Sequence, residues 1–500
     1  MVVYPCIPEA LTYANSYWLI LPIVFCCIFQ LLYRQYRAPL HEIPGPWLAR
    51  HTRLWKLYQY STGQYHFINI NLHRKYGPIV RVAPGEYSLA GQEAMKTIYA
   101  SGNDFIKSNW YRSSVPGTAT SLFTERDEKW HGILRRKYAN SYSVTALLEQ
   151  EQYVDSTTEY FKQRLHEFVH DEKSVDFGQW LKYYAFDVIG EITFAKRLGF
   201  LEGGRDINGI LKALDTYFVY ASLVGVYWEI HRFTIKIMSL MSSGGPAVMA
   251  FAQEEMELRL NKTGDTGRRD FLSRFVAQHK QNPTLFTQEE VKRGCWSNVA
   301  AGSDTTAISL RTVFYNLMKH PQCTRALRHE IDTMASEGKI SSPVTYRESL
   351  TMPYLQAVLK ESFRIHGATG FPLERIVPSS GATINGKYFP AGSVVGVNSW
   401  VLHYDKEIYG DDVETFRPER WLVEEDQYRK MDRCIFSFGG GARTCIGKNI
   451  SIMEMSKLVP ELIRNFDIEL VDPKANWRLH TAWFCNQYGL YCKVSERARD

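Results

Sequence analysis

The apolar run Tyr17 to Phe29 lies within a stretch, Glu9 to Arg34, that contains no other charged residue. As a helix this stretch is long enough for a bilayer core, which takes about 20 residues. Arg34 and Arg37 follow it and only Glu9 precedes it, so charge assigns the C-terminal side to the cytosol. A cleaved signal peptide is the competing reading, but the run ends in Tyr33-Arg34-Gln35-Tyr36-Arg37 without a small-residue cleavage site. Pro44 and Pro46 then stiffen the chain and deny it a helix. The expected organisation is an anchor over 1–38, a proline-rich hinge over 39–50 and one large domain over 51–500.

Within that domain Ile79-Val80-Arg81-Val82 and Tyr87-Ser88-Leu89 flank Pro84-Gly85 and predict a β-hairpin. From about Val154 to Glu257 the pattern is mostly helical, broken at Gly203-Gly204 and Gly244-Gly245. Thr287-x-x-Glu290 has the form of a capping box and opens a long helix that Pro321 stops. Pro353 opens another helix that ends near Gly367, and Asn385-Gly386 marks a hairpin turn. The fold class is mainly α with small β-sheets.

Five hundred residues suggest two to four domains by length. No linker, repeat or low-complexity block divides the part after residue 45, which favours a single domain. The nine cysteines show neither zinc spacing nor a disulfide framework, so a reducing, cytosol-facing location follows. A scattered net charge of +6 gives nucleic-acid binding no support and leaves an acidic protein or a membrane as possible contacts of a basic patch.

The chemistry concentrates between Phe436 and Ser451. Gly439, Gly440 and Gly441 permit a tight backbone of close approach. After Cys445 the pattern turns helical, with Ile446, Ile450, Met453 and Leu458 on one face, which sets the sulfur at a helix N-terminus. That position favours a thiolate. With Arg443 beside it, such a thiolate suits a metal centre that carries anionic groups, as haem does. The competing reading is a buried structural cysteine beside a glycine turn.

The spacing Phe438-Gly439-x-Gly441-x-Arg443-x-Cys445-x-Gly447 resembles the cysteine-ligand loop of the cytochrome P450 superfamily. The resemblance implies the P450 fold behind one N-terminal transmembrane helix, with Cys445 as axial ligand of haem iron and Phe438, Gly439, Gly441, Arg443 and Gly447 shaping the cofactor site. Pro44-Gly45-Pro46-Trp47 is similar to the hinge of membrane-bound members. Glu128 to Arg136 resembles a helix whose aromatic residue and arginine, four apart, reach a haem propionate. His131 and Arg135 meet that spacing, with Trp130 one place early, so either His131 or Trp130 takes the aromatic role. Arg375 matches a further propionate arginine, and Phe371 to Leu373 would point towards substrate. Tyr217 to Trp228 lies where the family covers its substrate pocket, although such a run also reads as plain core.

Ala300-Ala301-Gly302-Ser303-Asp304-Thr305-Thr306 is a poor helix sequence by propensity. It resembles the oxygen-binding segment of the family's central helix, which gives Asp304 and Thr305 the role of acid-alcohol pair in proton delivery. Read on residues alone, it is a kinked buried helix whose hydroxyls bond back to carbonyls. Glu361-x-x-Arg364 is a common spacing that chain order singles out, and Phe416 to Trp421 resembles the family's PERF element. Together these imply a buried structural triad of Glu361, Arg364 and Arg420.

The implied activity is a haem-thiolate monooxygenase that uses heme b, O2 and electrons from NADPH on an apolar small molecule. Its implied partners are NADPH-cytochrome P450 reductase, with cytochrome b5 as an optional second donor, docking near Arg135, Lys137, Arg433 and Lys448. The implied location is the endoplasmic reticulum membrane, single-pass, with the catalytic domain in the cytosol. Leu134 to Tyr138 and Pro372 to Pro378 resemble P450s of filamentous-fungal secondary metabolism, including the pisatin demethylase-like group. The alternatives are a P450-fold isomerase or dehydratase working without O2, and a non-catalytic membrane protein that binds haem or another ligand.

Overall fold

Helices build most of the computed structural model, which describes residues 22, 40–114, 120–241, 244–261 and 267–498. The expected membrane anchor, 1–38, lies outside the described residues apart from Pro22. The organising element is the helix Gln288–Lys319, whose 32 residues span about 48 Å at 1.5 Å per residue. Its capping box forms: the Thr287 hydroxyl accepts from the Glu290 N–H, and the Glu290 carboxylate accepts from the Thr287 N–H. The weak stretch around Gly302 stays helical. Ser303, Thr305, Ser309 and Thr312 each donate a hydroxyl to the carbonyl four residues back, at 2.8–3.0 Å, which satisfies these side chains inside an apolar core.

The helices Phe177–Phe194, Phe271–Gln281, Pro353–Ile365 and Lys448–Asn465 pack around this one in the largest apolar cluster. Phe177–Phe194 is buried along nearly its whole length, its charged side chains Lys182, Asp187 and Glu191 included. Gly302 permits the close approach: a Cβ there would meet Ile189 Cδ1 at 3.0 Å. The space gained by this glycine is thus taken by a neighbouring helix.

The strands are few and peripheral. A five-stranded sheet runs in the order β1 (Ile79–Ala83), β2 (Glu86–Leu89), β8 (Val394–Val397), β5 (Arg375–Ile376), β3 (Ile106–Lys107). The predicted hairpin pairs Ile79 with Leu89 and Arg81 with Tyr87. At the other edge β3 and β5 are antiparallel with Lys107 opposite Arg375. Asn385 and Gly386, at φ +50° and +71°, turn β6 (Ala382–Ile384) into β7 (Lys387–Phe389), the paired positive φ of a type I′ turn. Two smaller sheets join β4 (Val175–Asp176), β12 (Tyr491–Glu496) and β9 (Phe466–Leu470), and β10 (Arg478–Ala482) with β11 (Phe484–Tyr488).

One expectation is corrected. A helix, Trp47–His51, begins directly after Pro46 where the prolines were read as denying one. A proline at a helix start removes only an N–H that has no partner inside the helix. The segment is held against β1: the Arg81 N–H donates to Pro44 O at 2.8 Å, and a Cβ on Gly45 would lie 2.4 Å from Arg81 O.

Thr287→Ala should lower stability by about 1 kcal/mol through loss of the cap. The check is the unfolding midpoint followed by far-ultraviolet circular dichroism, with an unchanged midpoint contradicting the role of the capping box.

Candidate active site around Cys445

Phe436 to Cys445 folds into a closed loop. The Cys445 N–H donates to Phe438 O at 2.9 Å, the Gly439 N–H to Phe436 O at 2.9 Å and the Thr444 N–H to Gly441 O at 3.1 Å. Gly441 has φ +62°, and a Cβ there would meet Tyr99 O at 1.9 Å, so this position requires glycine. Phe438 packs edge-on against Phe363 at 5.0 Å. Gly447 then caps the helix Lys448–Asn465. Burial raises the Cys445 thiol above its ordinary pKa, opposed by the Gly447 N–H, the Arg135 charge and the N–H and charge of Lys448. The cysteine is surrounded by protein yet keeps accessible surface. Among the described residues no cluster of three or more His, Cys, Asp or Glu side chains could hold a metal. A metal at Cys445 would therefore bring its other ligands with it, as a porphyrin does.

A buried ionic network fixes the loop. Glu361 and Arg364 are four-square on one helix face, fully buried, and joined by two bonds of 2.8 and 2.7 Å, the strong bidentate form. Glu361 also accepts from Arg420 Nε at 3.3 Å, from Trp421 Nε1 at 3.0 Å and from the Arg417 N–H at 3.1 Å. Arg364 reaches the carbonyls of His403, Val413 and Thr415, and Arg420 adds Asp412 at 2.7 Å. The expected triad thus comes together.

His403 and Asp412 were not identified from the sequence. His403 gives its carbonyl to Arg364 and its Nε2 to the Phe436 N–H at 2.9 Å, which is the first residue of the cysteine loop. Burial, reinforced by the Arg364 charge, lowers the His403 imidazole to about 3, and only the neutral ring can accept that bond. The tetrad Leu402-His403-Tyr404-Asp405 carries no motif that would have marked it.

The predicted cationic residues converge. Arg135 donates to Thr444 O at 2.7 Å, next to the cysteine. Arg443 is fixed by Glu128 at 2.7 Å and by the carbonyls of Glu125 and Arg126, which leaves N–H donors over. Arg375 stacks on Tyr99 at 5.0 Å and donates to Glu374 O at 3.0 Å. His131 is 3% exposed, and burial together with Arg443, Lys107, Arg135 and Arg375 lowers it to about 3. Trp130 is 47% exposed with Lys137 over its ring, so His131, not Trp130, faces the cluster. Groups of this kind fit a buried dicarboxylate such as haem.

Asp304 and Thr305 diverge on the central helix. Asp304 is buried, with Oδ1 2.9 Å from Lys182 Nζ as an ion pair, although neither carboxylate oxygen accepts a hydrogen bond of good geometry. Lys182 also lies 3.5 Å from Asp215. Burial depresses this ammonium, but Asp304 and Asp215 outweigh it and hold it above its ordinary value. Thr305 is only partly buried, and Ala301, four residues earlier, is exposed. These two, with Gly302, leave an accessible strip in the middle of the helix, between buried Ala300 and Thr306.

Phe371 does not stand free to face a ligand. It stacks on Tyr60 at 3.8 Å inside an aromatic cluster with Tyr65, Trp110 and Trp483. Of the four cations expected at a docking surface, Arg433 and Lys448 are exposed, whereas Arg135 is turned inward to Thr444 O and Lys137 pairs with Glu290 at 2.6 Å. The two are drawn in on different sides of the helix, Arg135 by the cysteine loop and Lys137 by the start of the central helix.

Comparison with known proteins finds relatives along most of the chain. The Cytochrome P450 family profile matches residues 44–485. A pisatin demethylase of Fusarium vanettenii is 38% identical over 462 residues, covering 91% of this chain and 90% of that protein. A cytochrome P450 monooxygenase of Aspergillus terreus is 39% identical over 467 residues, covering 89% and 93%. Cytochrome P450 monooxygenase cicH of Emericella nidulans is 37% identical over 475 residues, covering 92% and 95%.

Glu361→Gln should destabilise the protein by about 3–5 kcal/mol, because it leaves the buried Arg364 guanidinium without an anion and Arg420 with Asp412 alone. Denaturant titration tests this, and a loss below about 1 kcal/mol would contradict the network's role. His403 sets a pH dependence: the unfolded ring takes a proton below its ordinary 6.5 and the folded ring does not until about 3. Its contribution is complete above 6.5 and is lost as pH falls, at about 1.4 kcal/mol per pH unit. Unfolding free energy measured between pH 7 and 4.5 should fall less steeply in His403→Gln than in the parent.

Proposed function

We propose a specific oxidation for this chain, which belongs to the cytochrome P450 family and is a monooxygenase: insertion of one oxygen atom from O2 into an apolar small molecule, as a step of fungal secondary-metabolite biosynthesis. The observation that carries the proposal is Cys445, an accessible thiol in a glycine-closed loop that is locked by a buried ionic network and flanked by inward-facing cations. Relatives named pisatin demethylase and cytochrome P450 monooxygenase support oxidation of a small molecule.

Cys445 would hold the iron of heme b through its sulfur. When bound, this group supplies activation of O2 with electrons that originate from NADPH. His131, Arg135, Arg375 and Arg443 hold its carboxylates. Thr305, half-buried on the central helix with its hydroxyl bonded back to Ala301 O, would pass a proton at its Oγ1. Asp304 would relay a proton to Thr305 once its side chain turns away from Lys182. The aromatic cluster of Trp110, Phe371, Trp483 and Phe484 keeps water from the apolar substrate.

Electrons arrive from a reductase, with cytochrome b5 as a second donor. Arg433 and Lys448 offer an acidic partner exposed positive charge on either side of the cysteine loop. The catalytic domain rests on the cytosolic face of the endoplasmic reticulum, behind an N-terminal single-pass anchor. An exposed apolar face supports membrane contact: Trp47 is 70% and Phe233 75% exposed, and the Arg53–Glu229 ion pair brings their two segments together. Among the described residues the one stretch long and apolar enough to cross a bilayer is Ile210–Ile237. It is kinked at Tyr227 and packs Leu211, Leu214 and Ala221 into the protein, so it serves as the cover of the pocket.

Cys445→Ala should abolish the thiolate-haem signature of the reduced carbon-monoxide spectrum, and a retained signature would remove the ligand assignment. Thr305→Ala should keep NADPH oxidation within a few-fold of the parent while product falls by at least tenfold. Full coupling of NADPH to product in that variant would end the proton-delivery role.

A further inference from the structure

Two hydroxyls stand on the accessible side of the central helix, and they are bonded differently. Ser297, Ala301 and Thr305 recur at four-residue intervals, which places them on one side of the helix. Thr305 donates to Ala301 O at 2.8 Å, and Ser303, Ser309 and Thr312 are likewise bonded back to carbonyls of the helix. Ser297 is half-buried, and among the described residues its hydroxyl makes no hydrogen bond. A serine inside a helix commonly satisfies itself on the carbonyl four residues back, and one that does not keeps a donor and two acceptor positions for another molecule.

The turn that carries Ser297 is roofed by other parts of the chain. Trp296 packs edge-on against Tyr217 of the cover helix Ile210–Val224, with ring centres 6.3 Å apart. One turn earlier Arg293 donates to Thr120 O at 2.9 Å, which ties the chain ahead of Glu128–Ala139 over the start of the central helix. One turn beyond Thr305, Ile308 is fully buried in the aromatic cluster of Trp110, Phe371, Trp483 and Phe484. Trp110 Nε1 and the Tyr217 hydroxyl are already engaged, with Ser222 O at 3.3 Å and Ser114 O at 2.8 Å. The accessible side of the helix therefore runs from an unengaged hydroxyl at Ser297 to an aromatic wall at Ile308.

We propose that Ser297 is a specificity-determining residue, whose hydroxyl anchors a neutral oxygen of the substrate while the apolar body of that substrate lies along Ala301 and Thr305 towards the aromatic wall. Resting on the haem-thiolate reading above, this narrows the substrate class from an apolar molecule to one that carries a hydroxyl, carbonyl or ether oxygen at a distance from the carbon attacked. Ser297 and Thr305 stand eight residues apart on the helix, about 12 Å at 1.5 Å per residue, which bounds that distance. Recognition is by a hydrogen bond at one end and apolar contact at the other. The bond fixes how far the molecule reaches into the site, and so which carbon is presented.

The test uses full-length holoenzyme and two series of N-alkylimidazoles, with chains of about four to ten carbons that end in a methyl group or in a hydroxyl and bracket that span. The free ring nitrogen ligates the haem iron, so each chain projects from the reacting centre and the spectral shift of nitrogen ligation reports Kd. In the parent the ratio of methyl Kd to hydroxyl Kd should peak at one chain length. Ser297→Ala should lower that peak about fivefold to tenfold, the worth of one hydrogen bond, with the methyl series and the thiolate form of the reduced carbon-monoxide spectrum unchanged. Ser297→Thr, which keeps a hydroxyl, should retain the peak. The same ratio in parent and Ser297→Ala at every length overturns the anchor, and so does an equal loss of affinity in both series, which leaves Ser297 a packing residue. If Ser297→Ala does not accumulate as holoenzyme, the parent and Ser297→Thr decide: a peak at one shared length upholds the anchor, and its absence overturns it. Failure of the parent to show any nitrogen-ligation shift would instead overturn the proposed function.

Discussion

The carboxylate of Glu361 is the point on which the rest of the structure depends. It is fully buried and receives Arg364, Arg420, Trp421 and the Arg417 N–H. A charge in that position is stable only when every lone pair is matched. Matching them ties the helix Pro353–Ile365 to the chain around residues 403–421, and through His403 to the first N–H of the cysteine loop. The thiol that would carry the chemistry is therefore held by charged groups that take no part in it. This separation lets the loop be rigid without crowding the sulfur.

The interior is electrostatically uneven, and the unevenness is organised. On one side of the protein the acids and bases match, as in the Glu361 network. On the side formed by β3, β5 and the helix Glu128–Ala139, basic groups outnumber their acidic partners. Proteins do not keep buried cations together unless something offsets them. An anionic cofactor is the simplest counterpart, and its removal should loosen that side first.

The central helix carries a second division of labour. Gly302 gives close contact with Ile189 and its neighbouring helix, while Ala301 and Thr305 leave an accessible strip on another side. Asp304, between them, is drawn to Lys182 and away from that strip. Back-bonded hydroxyls let this polar, small-residue segment remain helical inside the core without a break.

Much of this was legible in the chain itself, wherever the information is local. The capping box at Thr287, the Asn385-Gly386 turn and the β1–β2 hairpin form as their residues dictate, because caps and turns are decided by a few adjacent side chains. The glycine-cysteine loop and the order of motifs marked Cys445, Arg135, Arg375 and the Glu361 triad. The surroundings of Lys182 and His403 depended on tertiary structure, since each is defined by a partner far away in sequence, Asp304 and Phe436. The choice of His131 over Trp130 was of the same kind, because helical spacing places both and only packing decides which is buried. Local chemistry thus determined the elements and the reactive atom, whereas the pairing of buried charges, a property of distances between remote segments, was fixed by the fold alone.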